Sequence, residues 1–329
     1  SRSDGGHDYA ALLGGWMGMI DDDVPVTDIV MPGSHDSGTY GMLFLGETQS
    51  LSFGDQMRSG ARYFDVRIRR TGEGELRFYH GILTSENGYG DFLSDTVRFL
   101  EENPTEFLIL DYQHRDPAGD RESDNTLFSM LLDALGEERI LCAPDGMSDL
   151  DYVDSLTLGE ARGKVLVTFG ADARSTDYDF VMVRDSDGGT RAGSVLHSPC
   201  DERNDVQSEE YVNRVFGEYI AQYSAYGGGI CMLQTQLLAG NDNGFVPQSM
   251  EEVHDPNVTA WIKSCKDDPD LLAALNVIMR DYLTPRKCID IIELNKYKNF
   301  VAEEHASAFD ALVAADDDIA DAIVTDGDL

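Results

Sequence analysis

Four short segments carry residues whose types and spacing could do chemistry. In Met31-Pro32-Gly33-Ser34-His35-Asp36-Ser37-Gly38-Thr39, Pro and Gly permit a tight turn after an apolar run and put His35 and Asp36 on display. In Tyr63-Phe64-Asp65-Val66-Arg67-Ile68-Arg69, a period of two sends Asp65, Arg67 and Arg69 to one face and Phe64, Val66 and Ile68 to the other. Phe78-Tyr79-His80-Gly81 ends an apolar run in a histidine, and Asn276-Val277-Ile278-Met279-Arg280-Asp281-Tyr282 ends one in an acid. Taken singly, each has a plain explanation. A His-Asp turn can be a local hydrogen-bonding device, and an Asp-x-Arg pair can be a structural ion pair. Taken together they suit acid–base work on a phosphate. One imidazole takes a proton from an attacking hydroxyl, the other protonates the leaving oxygen, and a guanidinium grips the oxyanion. A carboxylate beside a histidine fixes its tautomer, and this logic needs no metal.

Such residues must be held at the ends of regular elements. Strands are expected at Thr27–Met31, Tyr63–Ile68, Leu76–Tyr79, Phe107–Tyr112, Val165–Phe169, Val181–Val183, Gly229–Leu233 and Asn276–Arg280. Helices are expected at Gly90–Glu102, Thr126–Leu135, Ser208–Tyr223, Asp270–Ala274 and Pro285–Lys296. Ser249 ahead of Glu251 and Glu252 reads as a helix start, and Thr284-Pro285 places Pro at a first helical position. Eight strands alternating with helices argue for an α/β fold, a single distorted (β/α)8 barrel over residues 1–329, whose C-terminal strand edge carries the chemistry. The Asp-, Gly- and Ser-rich interval Gly170–Asp205 is expected to loop over the barrel mouth. The acidic tail 316–329 should end in a short helix and a solvated stub.

Composition narrows the function classes. The 329 residues hold 61 acidic and 25 basic side chains, a net charge of −36, and the basic set is 19 Arg to 6 Lys. With 42% hydrophobic residues the chain can build a core, so wholesale disorder is excluded. Nucleic-acid binding is excluded by the thin supply of cations. Acidic surplus with few lysines fits a protein that stays hydrated in concentrated salt, an ordinary acidic extracellular enzyme being the alternative. No apolar run reaches membrane-span length, and Ser1 to Asp8 carries no signal-peptide pattern, so a leader is expected to be absent or removed. Cys142, Cys200, Cys231, Cys265 and Cys288 form no CxxC pair and are expected to be small buried residues rather than zinc ligands.

The segment Pro32 to Thr39 resembles the signature of phosphatidylinositol-specific phospholipase C in its X-domain form. The similarity continues through Gly60-Ala61-Arg62-Tyr63-Phe64-Asp65-Val66-Arg67, His80-Gly81, Phe99 to Leu110, Leu158 to Val165, and Val277 to Tyr282. It is thin between Gly170 and Ile230. The resemblance implies a TIM-like barrel in which His35 is the general base on the inositol 2-hydroxyl, oriented by Asp281. His80 would be the general acid for the diacylglycerol oxygen, coupled to Asp36. Arg67 would hold the phosphate, with Asp65 holding that arginine, and the product would be inositol 1,2-cyclic phosphate. Calcium-dependent relatives place an acidic ligand where Arg67 stands, so the resemblance implies no metal and no cofactor. It also implies a secreted enzyme meeting phospholipid at a membrane surface.

The sequence departs from that family at two head-group positions. Gln113 and His114 follow the Phe107–Leu110 run where bacterial members carry a lysine, and Gly170 stands where they carry an arginine, with Arg174 the nearest substitute. Gln113, His114 and Tyr282 are accordingly the expected substrate-binding residues beside Arg67. A glycosylated, soluble or non-inositol phosphodiester is the alternative substrate, and a catalytically silent lipid- or sugar-phosphate-binding protein the third reading. Leu43, Phe44 and Leu45 are expected to pack inward; exposed, they would suit a membrane.

Overall fold

In this computed structural model the described residues are 8–170, 176–185, 189–200, 209–237 and 246–325. Among the described residues there are ten strands: β1 Met31–Ser34, β2 Tyr63–Arg70, β3 Leu76–His80, β4 Leu83–Gly88, β5 Phe107–Asp116, β6 Lys164–Gly170, β7 Val181–Arg184, β8 Leu196–His197, β9 Ile230–Gln234 and β10 Val277–Arg280. Eight of them close a parallel ring in chain order, β1-β2-β5-β6-β7-β8-β9-β10, with β10 paired back onto β1. The hairpin β3–β4 stands outside the ring, antiparallel to Ile68–Arg70, the part of β2 that projects past β1.

Helices Phe53–Arg58, Tyr89–Glu102, Arg121–Leu135, Glu209–Tyr223, Pro247–Ser264 and Pro285–Ile292 pack around the ring. Among the described residues none follows β6 or β7, so the barrel is distorted on that flank. Helix Tyr89–Glu102 buries Phe92, Leu93, Thr96, Phe99 and Leu100, the three-and-four spacing of one helix face. Phe92 meets Phe53 and Phe78 at 5.0 and 5.6 Å, tying the outer helices to β3. The barrel interior is not wholly apolar. Buried Asp111 accepts from the Tyr63 hydroxyl at 2.6 Å and Thr168 Oγ1 at 2.8 Å, and Arg184 Nε lies 3.2 Å away, so this charge is paired.

Several expectations are corrected. The first strand begins at Met31, where Thr27–Met31 was expected. Residues 27–30 are irregular because side-chain amides satisfy their main chain: Val30 N–H donates to Asn295 Oδ1, Asn295 Nδ2 donates to Val30 O, and Asn276 Nδ2 to Ile29 O. The expected strand at Leu76–Tyr79 exists but lies outside the ring; the eighth ring position belongs to β8, two residues long and unforeseen. Ser249 lies inside its helix, which starts at Pro247. Thr284 does cap Pro285–Ile292, its hydroxyl accepting from Lys287 N–H. The tail forms a helix, Asp317–Thr325, and the stub beyond it lies outside the described residues. Cys265 and Cys288 are buried as expected, whereas Cys142 is exposed.

Candidate active site

His35 follows the last residue of β1, Asp281 follows β10, and Arg67 lies on β2, three adjacent strands of the ring. Gly33 allows that adjacency, since a Cβ there would come within 2.9 Å of the Tyr63 ring and 3.2 Å of the Met279 backbone. Beyond β1 the chain reverses at Asp36, whose φ of +44° is the left-handed region that Asp tolerates better than most residues. Asp36 N–H donates to Asp65 Oδ2 at 3.1 Å, fixing the turn against β2. The adjoining Gly38 passes over Phe78 so closely that a Cβ would overlap its ring.

His35 Nδ1 lies 2.6 Å from Asp281 Oδ1. Its Nε2 lies 3.1 Å from Arg67 Nη2 and 3.3 Å from Asp36 Oδ2; once the ring is neutral, with Nδ1–H donated to Asp281, Nε2 presents its lone pair to Arg67. Arg67 Nε sits 2.7 Å from Asp36 Oδ1, and Nη2 donates to Asp65 Oδ2 at 2.7 Å. His80 comes from the hairpin: its Nε2 is 3.7 Å from Asp36 Oδ2, while its Nδ1 is held 3.0 Å from Gly46 O. The two imidazole Nε2 atoms therefore face one oxygen of Asp36. His35, Asp36, Asp65 and Asp281 are buried, and Arg67 and His80 are partly open to solvent.

The electrostatics follow from this packing. Burial pulls the His35 pKa down, but Asp281 and Asp36 outweigh it, and the group is raised to about 9 against a partial opposing effect of Arg67. Burial would push Asp65 up; Arg67, with help from His35 and His114, pulls it down to about 2. Among the described residues, the group that could hold a metal ion is His35, Asp36 and Asp65. The guanidinium of Arg67 contacts both of those carboxylates.

The remaining sequence-derived residues divide. Arg69, further along β2, lies 2.6 Å from Asp116 and stacks over Tyr79 at 4.4 Å, away from the cluster around Asp36. His114 is exposed and in register with Arg67, and Gln113 beside it is buried. Gly170 ends β6 next to the Gln113 carbonyl, and Arg174 lies outside the described residues. Tyr282 gives its hydroxyl to Glu47 O at 2.5 Å and its N–H to Thr48 O at 2.7 Å, tying the loop after β1 to the end of β10. Residues not foreseen support the site. Gln49 Nε2 donates to the carbonyls of both His35 and Arg280 at 2.9 Å, and Gln56 Nε2 donates to Ser37 O while its Oε1 accepts from Ser34 Oγ. Nothing in a loop glutamine's neighbours along the chain announces such a role.

The ring is thus a parallel eight-stranded barrel with two histidines, an arginine and three acids gathered at one mouth. Residues 23–169, a stretch that contains β1 to β5 and most of β6, match the family described as "Phosphatidylinositol-specific phospholipase C, X domain". Among curated relatives, "1-phosphatidylinositol phosphodiesterase" of Staphylococcus aureus (strain Newman) is 29% identical over 160 residues, 46% of this chain and 49% of the relative. The protein of the same description from Listeria monocytogenes is 27% identical over 163 residues, 46% of this chain and 47% of the relative. The chain thus spans about half the length of the curated relatives it matches. Among solved structures, phosphatidylinositol-specific phospholipase C from Listeria monocytogenes superposes with a TM-score of 0.67 at 18% identity, covering 86% of this chain and 98% of that one, a likeness of fold.

Proposed function

We propose that the protein is a phospholipase C-type phosphodiesterase that cleaves phosphatidylinositol-class lipids to diacylglycerol and a cyclic inositol phosphate. The observation that carries this reading is the pair of imidazole Nε2 atoms, 3.3 and 3.7 Å from one oxygen of Asp36, with Arg67 3.1 Å from the first of them and Asp281 behind His35. His35 takes the proton of the inositol 2-hydroxyl while Asp281 holds its ring. The 2-oxygen then attacks phosphorus, and His80 gives its proton to the departing diacylglycerol oxygen. Arg67, aligned by Asp65, stabilises the charge that gathers on the phosphoryl oxygens. Asp36 is the shared partner that keeps both rings pointed at the reacting group. An arginine seated against Asp36 and Asp65 occupies the ground a divalent cation would take, which supports catalysis without a metal.

Leu43, Phe44 and Leu45 are 69%, 63% and 51% exposed, and Ile82 is 93% exposed, against the expectation that the first three pack inward. They flank His80, whose ring rests on Gly46, which favours action at a lipid surface. Gln113 and Gly170 favour a second reading for the head group, because a glycine and an amide replace the two cations that the family resemblance leads one to expect there. A glycosylated or otherwise altered inositol head group is that alternative.

The test is phosphorus NMR of products from phosphatidylinositol vesicles. A cyclic phosphate resonance is expected, unchanged by EDTA, with His35→Ala and His80→Ala each slowing its formation by about a hundredfold to ten-thousandfold while the fold survives. Near-normal turnover in either variant sinks the two-histidine mechanism, and loss of activity with chelator, restored by calcium, sinks the metal-free one.

A further inference from the structure

The β3–β4 hairpin carries His80 at its tip, yet the ladder that ties this hairpin to the ring stops short of it. Ile68, Arg69 and Arg70 pair with Phe78, Arg77 and Leu76, so Tyr79, His80 and the turn lie past the last pair. The turn is two residues long, Gly81 and Ile82 between the paired His80 and Leu83, with Gly81 at a φ of +56°. A two-stranded tip of this kind is weakly held by its own hydrogen bonds. His80 Nδ1, 3.0 Å from Gly46 O, sets the rotation of the ring but not the place of the main chain that bears it.

One side chain bridges that gap. Arg69 Nη2 donates to Gly81 O at 2.9 Å, and Nη1 donates to Ile82 O at 3.2 Å and to Thr84 Oγ1 at 3.1 Å. Its Nε donates to Asp116 Oδ2 at 2.6 Å, and Asp116 ends β5 in register with Arg69. The guanidinium also lies over the Tyr79 ring at 4.4 Å. A group rooted on one ring strand and aimed by the next therefore holds the residues on both sides of His80. The Arg69–Asp116 pair is partly exposed, and such a pair contributes little to stability on its own. What it supplies is geometry: a planar fork answers two carbonyls, a hydroxyl and a carboxylate at once, which a single ammonium does not.

We propose that Arg69 is a positioning residue for His80, holding the hairpin tip so that the imidazole delivers its proton to the departing oxygen. The inference rests on the reading of His80 as the general acid. As the phosphorus–oxygen bond breaks, the Nε2 proton passes to the leaving alkoxide, and a displacement of about 1 Å costs such a transfer on the order of a hundredfold. Arg69 acts from outside the cluster around Asp36, so its loss falls on the step that needs the acid.

The test uses the full chain and two soluble substrates with different leaving groups. One is a short-chain, monomeric phosphatidylinositol, whose alkoxide must be protonated as it departs. The other is myo-inositol 1-(4-nitrophenyl phosphate), whose phenolate departs unprotonated. Neither needs a lipid surface, so exposed Ile82 on the same tip does not enter. Arg69→Met should lower kcat on the first by about ten- to a hundredfold and on the second by no more than about threefold, with KM for both little changed. Arg69→Lys keeps the ion pair with Asp116 and loses the fork; it should show the same contrast, and it stays informative if Arg69→Met fails to fold. His80→Ala is measured alongside, and its loss on the alkyl substrate should exceed that on the aryl one by at least about tenfold. Equal losses in His80→Ala overturn the general-acid reading and this proposal with it. If His80→Ala shows the contrast while the Arg69 variants lose both substrates equally, or neither, the general-acid reading stands and the proposal is overturned.

Discussion

His35 sits between Asp281 and Asp36 with Arg67 across from it, and the two acids decide its proton. With its pKa raised to about 9, the ring of the free protein is an imidazolium at neutral pH, and a general base must first lose that proton. The sign is therefore fixed: kcat/KM should climb as pH rises from 7 through about 9. Asp281→Asn removes the larger of the two raising charges, so its ascending limb should move to lower pH while the maximum falls. A pH–rate profile on phosphatidylinositol checks both, and a limb unmoved in Asp281→Asn would separate Asp281 from the base. At this scale much of the site was legible. His35, Asp36, Asp65, Arg67, His80 and Asp281 were all visible as polar groups interrupting apolar runs, and the fold brings all six together. Arg69 follows Arg67 on the alternating pattern of β2 but lies further along the strand, where it pairs with Asp116.

At the scale of elements, the loop after β1 and the β3–β4 turn are the parts that meet the outside. Leu43, Phe44, Leu45 and Ile82 project from them around His80, where burial in a lipid surface would recover roughly 25 cal/mol for each Å² of apolar area. Phe44→Ser and Ile82→Ser together should weaken sedimentation with phosphatidylinositol vesicles by at least about tenfold. Cleavage of a short-chain, monomeric substrate should be little changed. Equal losses on both substrates would place these residues in the fold or the chemistry instead of at the membrane. The elements themselves were partly readable. Long amphipathic helices such as Tyr89–Glu102 were found nearly to the residue, because their spacing is a local property. β1 was placed too early and β8 missed, because Asn295 and Asn276, far along the chain, satisfy residues 27–30, and two residues of strand leave no periodic trace.

For the whole molecule, the −36 net charge opposes approach to an anionic lipid surface. At physiological ionic strength the field reaches about 8 Å, and at 1 M salt about 3 Å. Activity on anionic vesicles should therefore rise with added sodium chloride, more steeply than on zwitterionic vesicles doped with the same substrate. A monotonic fall with salt would count against salt adaptation and point to local electrostatic attraction. No described helix is long and apolar enough to cross a membrane.

The sequence by itself determined the alternation of strand and helix, and hence the barrel class, along with the polar residues that gather at the mouth. Both are local: apolar periodicity and residue chemistry are written in neighbours along the chain. Only the tertiary structure decided that Asp36 stands between two histidines, that Gln49 ties β1 to β10, and that His197 pairs with Asp185. Those are meetings across long sequence separations, set by ring closure and side-chain packing, to which no window of local sequence has access.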